Sequence, residues 1–99
     1  MNTEWPFEDN PETPVITTKQ VSSGKYPILY VSRELDEDGA ITWQCLCLVV
    51  PFDMVDAQLV RLDTIVDLDP SLIELSDLQV GEDASRESPQ DEWVRSKCS

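Results

Sequence analysis

PILYVSRELDEDGAITWQCLCLVV, residues 27–50, carries the strongest secondary-structure signal in the chain. Val, Ile, Tyr and Trp are frequent on both sides of an acidic turn, which is typical of half-buried β-strands. Asp38-Gly39 predicts the turn, because both central residues of a type I′ hairpin turn adopt positive φ. We therefore interpret this stretch as an antiparallel hairpin around which the remaining chain folds.

A two-residue turn at Asp38-Gly39 also predicts how the two strands pair. One face should pair Leu29 with Leu48, Val31 with Leu46, Arg33 with Gln44, and Leu35 with Thr42. The other face should pair Ile28 with Val49, Tyr30 with Cys47, Ser32 with Cys45, and Glu34 with Trp43. Both faces are apolar at the open end and polar near the turn, so we expect the open end to be buried on both sides and the turn to lie in water.

The segments around the hairpin predict an extended arm and a single domain. Residues 1–14 contain four acids, no base and three prolines, and we expect an acidic arm that either docks through Trp5 and Phe7 or extends into solvent. We expect one domain over residues 15–95 and a frayed tail over residues 96–99.

Local signals also predict further strands and a helix start. Short strands are expected over residues 15–20, 59–62, 84–87 and 93–95, with a helical turn over 64–68. Asp69-Pro70 predicts a second helix start, because aspartate caps helices and proline suits the first helical position. The expected fold class is α+β: a small antiparallel sheet built on the 27–50 hairpin, with one or two short helices.

Charge is the most unusual property of the composition. Twenty acids and seven bases among 99 residues give a net charge of −13. This charge should repel nucleic acid and anionic membranes and attract a basic protein partner. No apolar run approaches the roughly 20 residues of a membrane helix. Three cysteines and no export signal favour a cytoplasmic location.

The residue types argue against most catalytic and metal sites. The chain contains no histidine, which removes the usual nucleophile-activating base and the commonest transition-metal ligand. Cys45, Cys47 and the distant Cys98 do not complete a tetrahedral zinc site. A calcium loop with Gly39 at its sixth position would place Cys45 where a glutamate is needed. We therefore expect no metal, no cofactor and no enzymatic activity; an enzyme that uses carboxylates alone is the remaining catalytic alternative.

The acids at the hairpin turn are the candidate functional residues. They are Glu34, Asp36, Glu37 and Asp38, and the group is called the acidic tip below. They form either a solvated, self-repelling turn or a surface that meets a basic partner. Trp43 lies near the tip in sequence and is included as a candidate, although a tryptophan in a strand is more readily explained as a core residue.

Several motifs resemble a group of small bacterial proteins of unknown function. The matching stretches are WPFEDNP (5–11), ITTKQV (16–21), GKYPILYVSRELDEDGAITWQ (24–44), LVRLDTIVDLDPSLIELSDLQVG (59–81) and RESPQDEW (86–93). Residues 24–43 are also similar to a wider domain grouped with immunity proteins of bacterial polymorphic toxins. That resemblance implies a protein that binds and blocks a toxin through an acidic surface. The chain departs from the pattern at Ile41-Thr42, Gln44-Cys45 and Glu82-Asp83, and the last of these adds negative charge.

These observations predict a non-catalytic binding protein that presents an acidic surface to a basic protein. Two alternatives stay open: a decoy that mimics the negative surface of DNA, and an accessory protein without a definable site.

Overall fold

The computed structural model describes residues 5–47 and 57–97, and these form one mixed sheet with three short helices. The elements, in chain order, are β1 (Pro14–Thr18), α1 (Lys19–Ser22), β2 (Tyr30–Leu35), β3 (Ile41–Leu46), β4 (Ala57–Arg61), α2 (Leu62–Leu68), a 3₁₀ helix (Pro70–Leu75), β5 (Glu82–Ser85) and β6 (Val94–Lys97).

The sheet is mixed, which corrects the prediction of an antiparallel sheet within the α+β class. Its strand order is β4-β1-β3-β2-β5-β6, and β1 runs parallel to β3 while the other neighbours are antiparallel. The parallel pair arises because the chain passes through α1 and β2 before β3 returns beside β1. No local pattern in β1 specifies that placement.

The central hairpin exists, but its predicted register is wrong by one residue. Val31 pairs with Cys45, Arg33 with Trp43, and Leu35 with Ile41. The predicted pairs that involve Leu48 and Val49 lie outside the described residues. The shift places Val31 on the same buried face as Cys45, while Tyr30 and Leu46 on the opposite face are half-buried.

The register changes because the loop has three residues rather than two. The Asp36 carboxylate accepts hydrogen bonds from the backbone N–H groups of Asp38 (2.8 Å) and Ala40 (2.9 Å). The Gly39 N–H donates to the Asp36 carbonyl oxygen at 3.0 Å, and Gly39 has a φ of 82°. A β-turn followed by one left-handed glycine is a recognised hairpin loop, and an aspartate at the first turn position stabilises it.

The core lies between one face of the sheet and the helices. Val15, Val31, Trp43, Cys45 and Ala84 line this face of the sheet and pack in one cluster with Leu62, Ile65, Val66, Leu72 and Leu75 of the helical segment. Each of these side chains is at most 8% exposed. The shared apolar contact with the sheet therefore holds α2 and the 3₁₀ helix in place.

The N-terminal arm is docked, and it supplies acceptors for the start of α2. The N–H groups of Leu62 and Asp63 donate to the carbonyl oxygens of Thr13 (2.9 Å) and Pro11 (3.0 Å). A helix leaves its first N–H groups without intrahelical partners, and these carbonyls fill that need. This explains why α2 begins at Leu62, two residues before the predicted start at Thr64.

The predicted second helix start and the last strand were located to within a few residues. Asp69 caps the 3₁₀ helix, its carboxylate accepting from the Ser71 N–H at 3.1 Å. β6 extends to Lys97, because Ser96 and Lys97 pair with Asp83 and Glu82. The prediction of a frayed tail was therefore wrong for residues 96 and 97, and residues 98 and 99 lie outside the described range.

Candidate functional site

The acidic tip projects from one end of the sheet. Glu34, Asp36, Glu37 and Asp38 are all exposed. The Asp36 carboxylate differs from the other three, because it is bonded to the loop backbone and shapes the turn. Glu34, Glu37 and Asp38 are therefore the tip acids that can meet a partner without a change in the loop.

Trp43 lies in the core rather than on the surface of the tip. Its side chain is 2% exposed, and its ring meets the Phe7 ring edge to face, with 5.5 Å between the centroids. Its indole N–H donates to the Asp9 carboxylate. The docked arm thus covers Trp43 and excludes it from direct contact with a partner in this conformation.

Asp9 is the residue at this end that the sequence analysis missed. Its carboxylate accepts from Arg33 Nε at 3.2 Å and from Arg33 Nη2 at 2.9 Å, in addition to the Trp43 N–H. Arg33 is 5% exposed, and its Nη1 donates to the Leu78 carbonyl oxygen at 2.8 Å. In the sequence, Asp9 is marked only by its position after Phe7 and Glu8. A phenylalanine followed by two acids is too common a pattern to predict a buried ion pair.

The arginines at the tip end are both bound to acids. Arg33 also lies 3.7 Å from Glu8, and the exposed Arg61 contacts Asp63 at 2.9 Å and Glu12 at 3.8 Å. The hydrogen bond from Arg61 lowers the pKa of the Asp63 carboxyl below its usual value. These pairs lie at the tip end because β1 and β3 are parallel, so the residues that precede Pro14 and Ile41 share one end of the sheet.

A second buried arginine lies at the opposite end of the sheet. Arg86 donates to the Ile28 carbonyl oxygen from Nε (3.1 Å) and Nη2 (2.9 Å), and to the Asp69 carboxylate at 2.8 Å. Its guanidinium carbon lies 4.2 Å from the centre of the Trp93 ring. Asp69 therefore neutralises the charge of Arg86 within the fold.

A cleft of about 400 Å³ opens beside Arg86 and includes Lys25, Tyr26 and Ser71 in its lining. Arg86 Nη1 donates to the Ser71 hydroxyl at 3.1 Å, so the guanidinium is already surrounded by protein acceptors. The Ser71 hydroxyl in turn donates to Asp69 at 2.6 Å. The Arg86, Ser71 and Asp69 side chains that line this cleft are bonded to one another, whereas Lys25 is exposed and has no ion-pair partner among residues 5–47 and 57–97.

The two ends of the sheet differ in charge. The tip end carries the acidic tip and the exposed acids Glu8 and Glu12. At the far end, the exposed acids Glu87, Asp91 and Glu92 are accompanied by the exposed Lys19 and Lys25, so the far end is less negative than the tip end. A folded chain with this distribution produces a field that orients a basic molecule toward the tip.

The Cys45 thiol is buried in the core of the domain. Burial raises the pKa of the Cys45 thiol far above its usual value, and the negative charge of Asp69 raises it further, so the thiol stays protonated. Among residues 5–47 and 57–97, no three His, Cys, Asp or Glu side chains are grouped as a metal site requires.

None of the helices within the described ranges is long and apolar enough to span a membrane. Comparison of the chain with known protein families, with curated proteins and with solved structures found no match, so the resemblance to immunity proteins stays a prediction.

Proposed function

We propose that this chain is a non-catalytic binding protein that presents the acidic tip to a basic protein partner. The observation that supports this function is the concentration of exposed acids at one end of the sheet, where Arg33 and Arg61 are already bound to carboxylates. Glu34, Glu37 and Asp38 keep their charges available to a partner. The proposal agrees with the toxin-blocking role that the sequence resemblance implies.

The binding mechanism is electrostatic attraction followed by short-range contact. A chain with a net charge of −13 accelerates the approach of a basic protein and disfavours acidic ones. The hairpin loop is held in one conformation by the Asp36 carboxylate, so the neighbouring acids are presented with a small loss of conformational entropy on binding.

A pair of charge-matched variants tests the proposal. The tip variant carries Glu34→Lys, Glu37→Lys and Asp38→Lys, and the control variant carries Glu74→Lys, Glu87→Lys and Glu92→Lys at exposed positions away from the tip. Each replaces three acids with lysines, so the net charge rises by six, from −13 to −7, in both. Asp36 is left intact because its carboxylate maintains the loop.

Ligands come from a random peptide library displayed on phage and selected against the wild-type chain at low salt. We expect the selected peptides to be rich in lysine and arginine, to lose binding to the tip variant, and to retain most of it with the control variant. Binding should weaken steeply at about 0.5 M salt, where exposed charges are screened within a few ångströms. Selected peptides without basic enrichment, or equal losses in both variants, would contradict the proposal.

A further inference from the structure

A groove of about 480 Å³ runs between the docked N-terminal arm and the helical segment. Trp5, Pro6 and Pro11 of the arm form one wall. Val66, Pro70 and Ile73 form the other. Three of these six residues are prolines, which have no backbone N–H to offer, so the walls are mainly apolar.

The groove exposes apolar surface to solvent. Ile73 is 42% exposed, and the Trp5 ring is only half-buried although its indole N–H is bonded to the Asp9 carbonyl oxygen at 2.7 Å. The Phe7 ring, 5.0 Å away, packs against Trp5 and fixes its orientation. A partner side chain that entered here would remove Ile73 and Trp5 from water.

The rim of the groove is acidic. Asp63 and Asp67 lie one turn apart on α2, and both line the groove. Asp63 is paired with Arg61, whereas Asp67 is exposed and has no hydrogen-bond or ion-pair partner among residues 5–47 and 57–97. An apolar floor beneath a free carboxylate favours an occupant that is itself apolar at its centre and positive at its edges.

We propose that this groove receives an aliphatic side chain, flanked by lysine or arginine residues, from the basic protein that the acidic tip attracts. The inference rests on the proposed function and adds the apolar anchor that the tip lacks. Interfaces gain most of their affinity from a few well-buried anchors, whereas exposed charges contribute more to the association rate. The arm and the start of α2 place one end of the groove at the tip end of the sheet, and the groove continues along the helical segment toward Pro70 and Ile73. A partner that extends from the tip along this segment can contact both features.

Charge favours a basic partner over a second copy of this chain. Two copies, each with a net charge of −13, repel one another. The edge strands β4 and β6 expose Leu59 and Val94, and apolar residues on an edge can pair with a second copy. Self-association is therefore an alternative outcome for the experiment to detect.

The test is a titration of the ¹⁵N-labelled chain with three end-blocked peptides, monitored by NMR. The first is Lys-Lys-Gly-Leu-Gly-Lys-Lys, the second has serine in place of leucine, and the third has glutamate in place of every lysine. Trp5→Phe assigns the Trp5 indole signal. We expect the first peptide to shift the Trp5 indole and Ile73 amide signals with a Kd on the order of 1 mM, and the second to bind roughly tenfold more weakly.

Three variants locate the site. Ile73→Ser should remove the advantage of leucine over serine, and Asp67→Lys should weaken both lysine peptides. Leu59→Ser, at an exposed residue of the edge strand β4, should change neither. A well-dispersed amide spectrum confirms that each variant is folded.

The outcomes separate the two proposals. Equal binding of the leucine and serine peptides would overturn the groove while leaving the charge-based function intact. If neither lysine peptide bound the wild-type chain, the result would contradict the groove as a binding site and would also count against the proposed function. Tight binding of the glutamate peptide would indicate an acidic partner instead of a basic one. Line broadening that increases with protein concentration alone would indicate that a second copy of the chain occupies the groove.

Discussion

Arg33 and Arg86 are both buried, and each lies near a tryptophan ring and an aspartate, but they hold different kinds of segment. Arg33 binds mainly the carboxylate of Asp9, which belongs to the N-terminal arm, and donates one further hydrogen bond to the Leu78 carbonyl oxygen. Arg86 binds the carbonyl oxygen of Ile28, which lies in an internal connection between α1 and β2.

Removal of the same side chain should therefore have unequal consequences at the two positions. An arm can leave the body of the protein, and its aspartate then returns to water. An internal connection is tied at both ends, so its carbonyl oxygen stays buried without a partner. A buried polar group that loses its partner destabilises the folded state by its full desolvation free energy. Loss of Arg86 should therefore destabilise the whole domain, and loss of Arg33 should partly be relieved by release of the arm.

Arg86→Ala is the change from which we expect the largest effect. It removes the donors to Ile28 and Asp69 together, and we expect the free energy of unfolding to fall by about 3–5 kcal/mol. Chemical denaturation followed by circular dichroism measures this loss. Lys19→Ala, at an exposed position of α1, is the control and should leave the transition nearly unchanged. A loss below about 1 kcal/mol would show that water replaces the guanidinium at little expense.

Arg33→Ala should produce a smaller global loss together with a local change in the arm. We expect about 2–3 kcal/mol, because the buried pair is broken but Asp9 can move into water with the arm. The amide signals of residues 5–13 should sharpen, and their amide hydrogens should exchange faster than those of β2. Asp9→Asn should produce the same local change to a lesser degree, since the amide oxygen still accepts from the Trp43 indole N–H. An arm that stays protected from exchange in both variants would contradict this explanation.

The ion pair of Arg95 and Asp77 is exposed to solvent, so we expect its removal to have a smaller effect on stability than removal of Arg86 or Arg33. The hydrogen bond from Arg95 lowers the pKa of the Asp77 carboxyl below its usual value. The stability that this shift contributes is present above the pKa of the unfolded chain and disappears as pH falls through the lower, folded-state pKa. As the pH is lowered from about 5 to about 2, the free energy of unfolding of Asp77→Asn should therefore decrease slightly less than that of the wild-type chain. Denaturation midpoints measured across this pH range give the difference. An effect as large as that of Arg86→Ala would mean that burial is not what separates these pairs.

Much of the local structure was predictable because its causes are close together in sequence. Asp69-Pro70 begins a helix for reasons contained in two residues, and the strand propensities near Asp38-Gly39 are enough to predict a hairpin. The register error is also local in origin. Asp36 lies two and four residues before the amides that it accepts from, so an aspartate at the start of the turn was the available signal for the longer loop.

The candidate site was predictable only in part. The exposure of the acidic tip follows from its charge density, since four acids close together are poorly accommodated in a core. The groove has no sequence signature, because its walls come from segments about 60 residues apart and each proline or isoleucine alone is unremarkable.

The amino-acid sequence alone was enough to specify the α+β class, the hairpin, the cap at Asp69 and the strong negative charge, because each depends on neighbouring residues or on composition. The three-dimensional fold was needed to show that β1 lies parallel to β3, that Asp9 contacts Arg33, and that the arm covers Trp43. These contacts join residues far apart along the chain. They form because the apolar faces of the arm, the sheet and the helices are buried together, and the buried charges then require partners in the same interior.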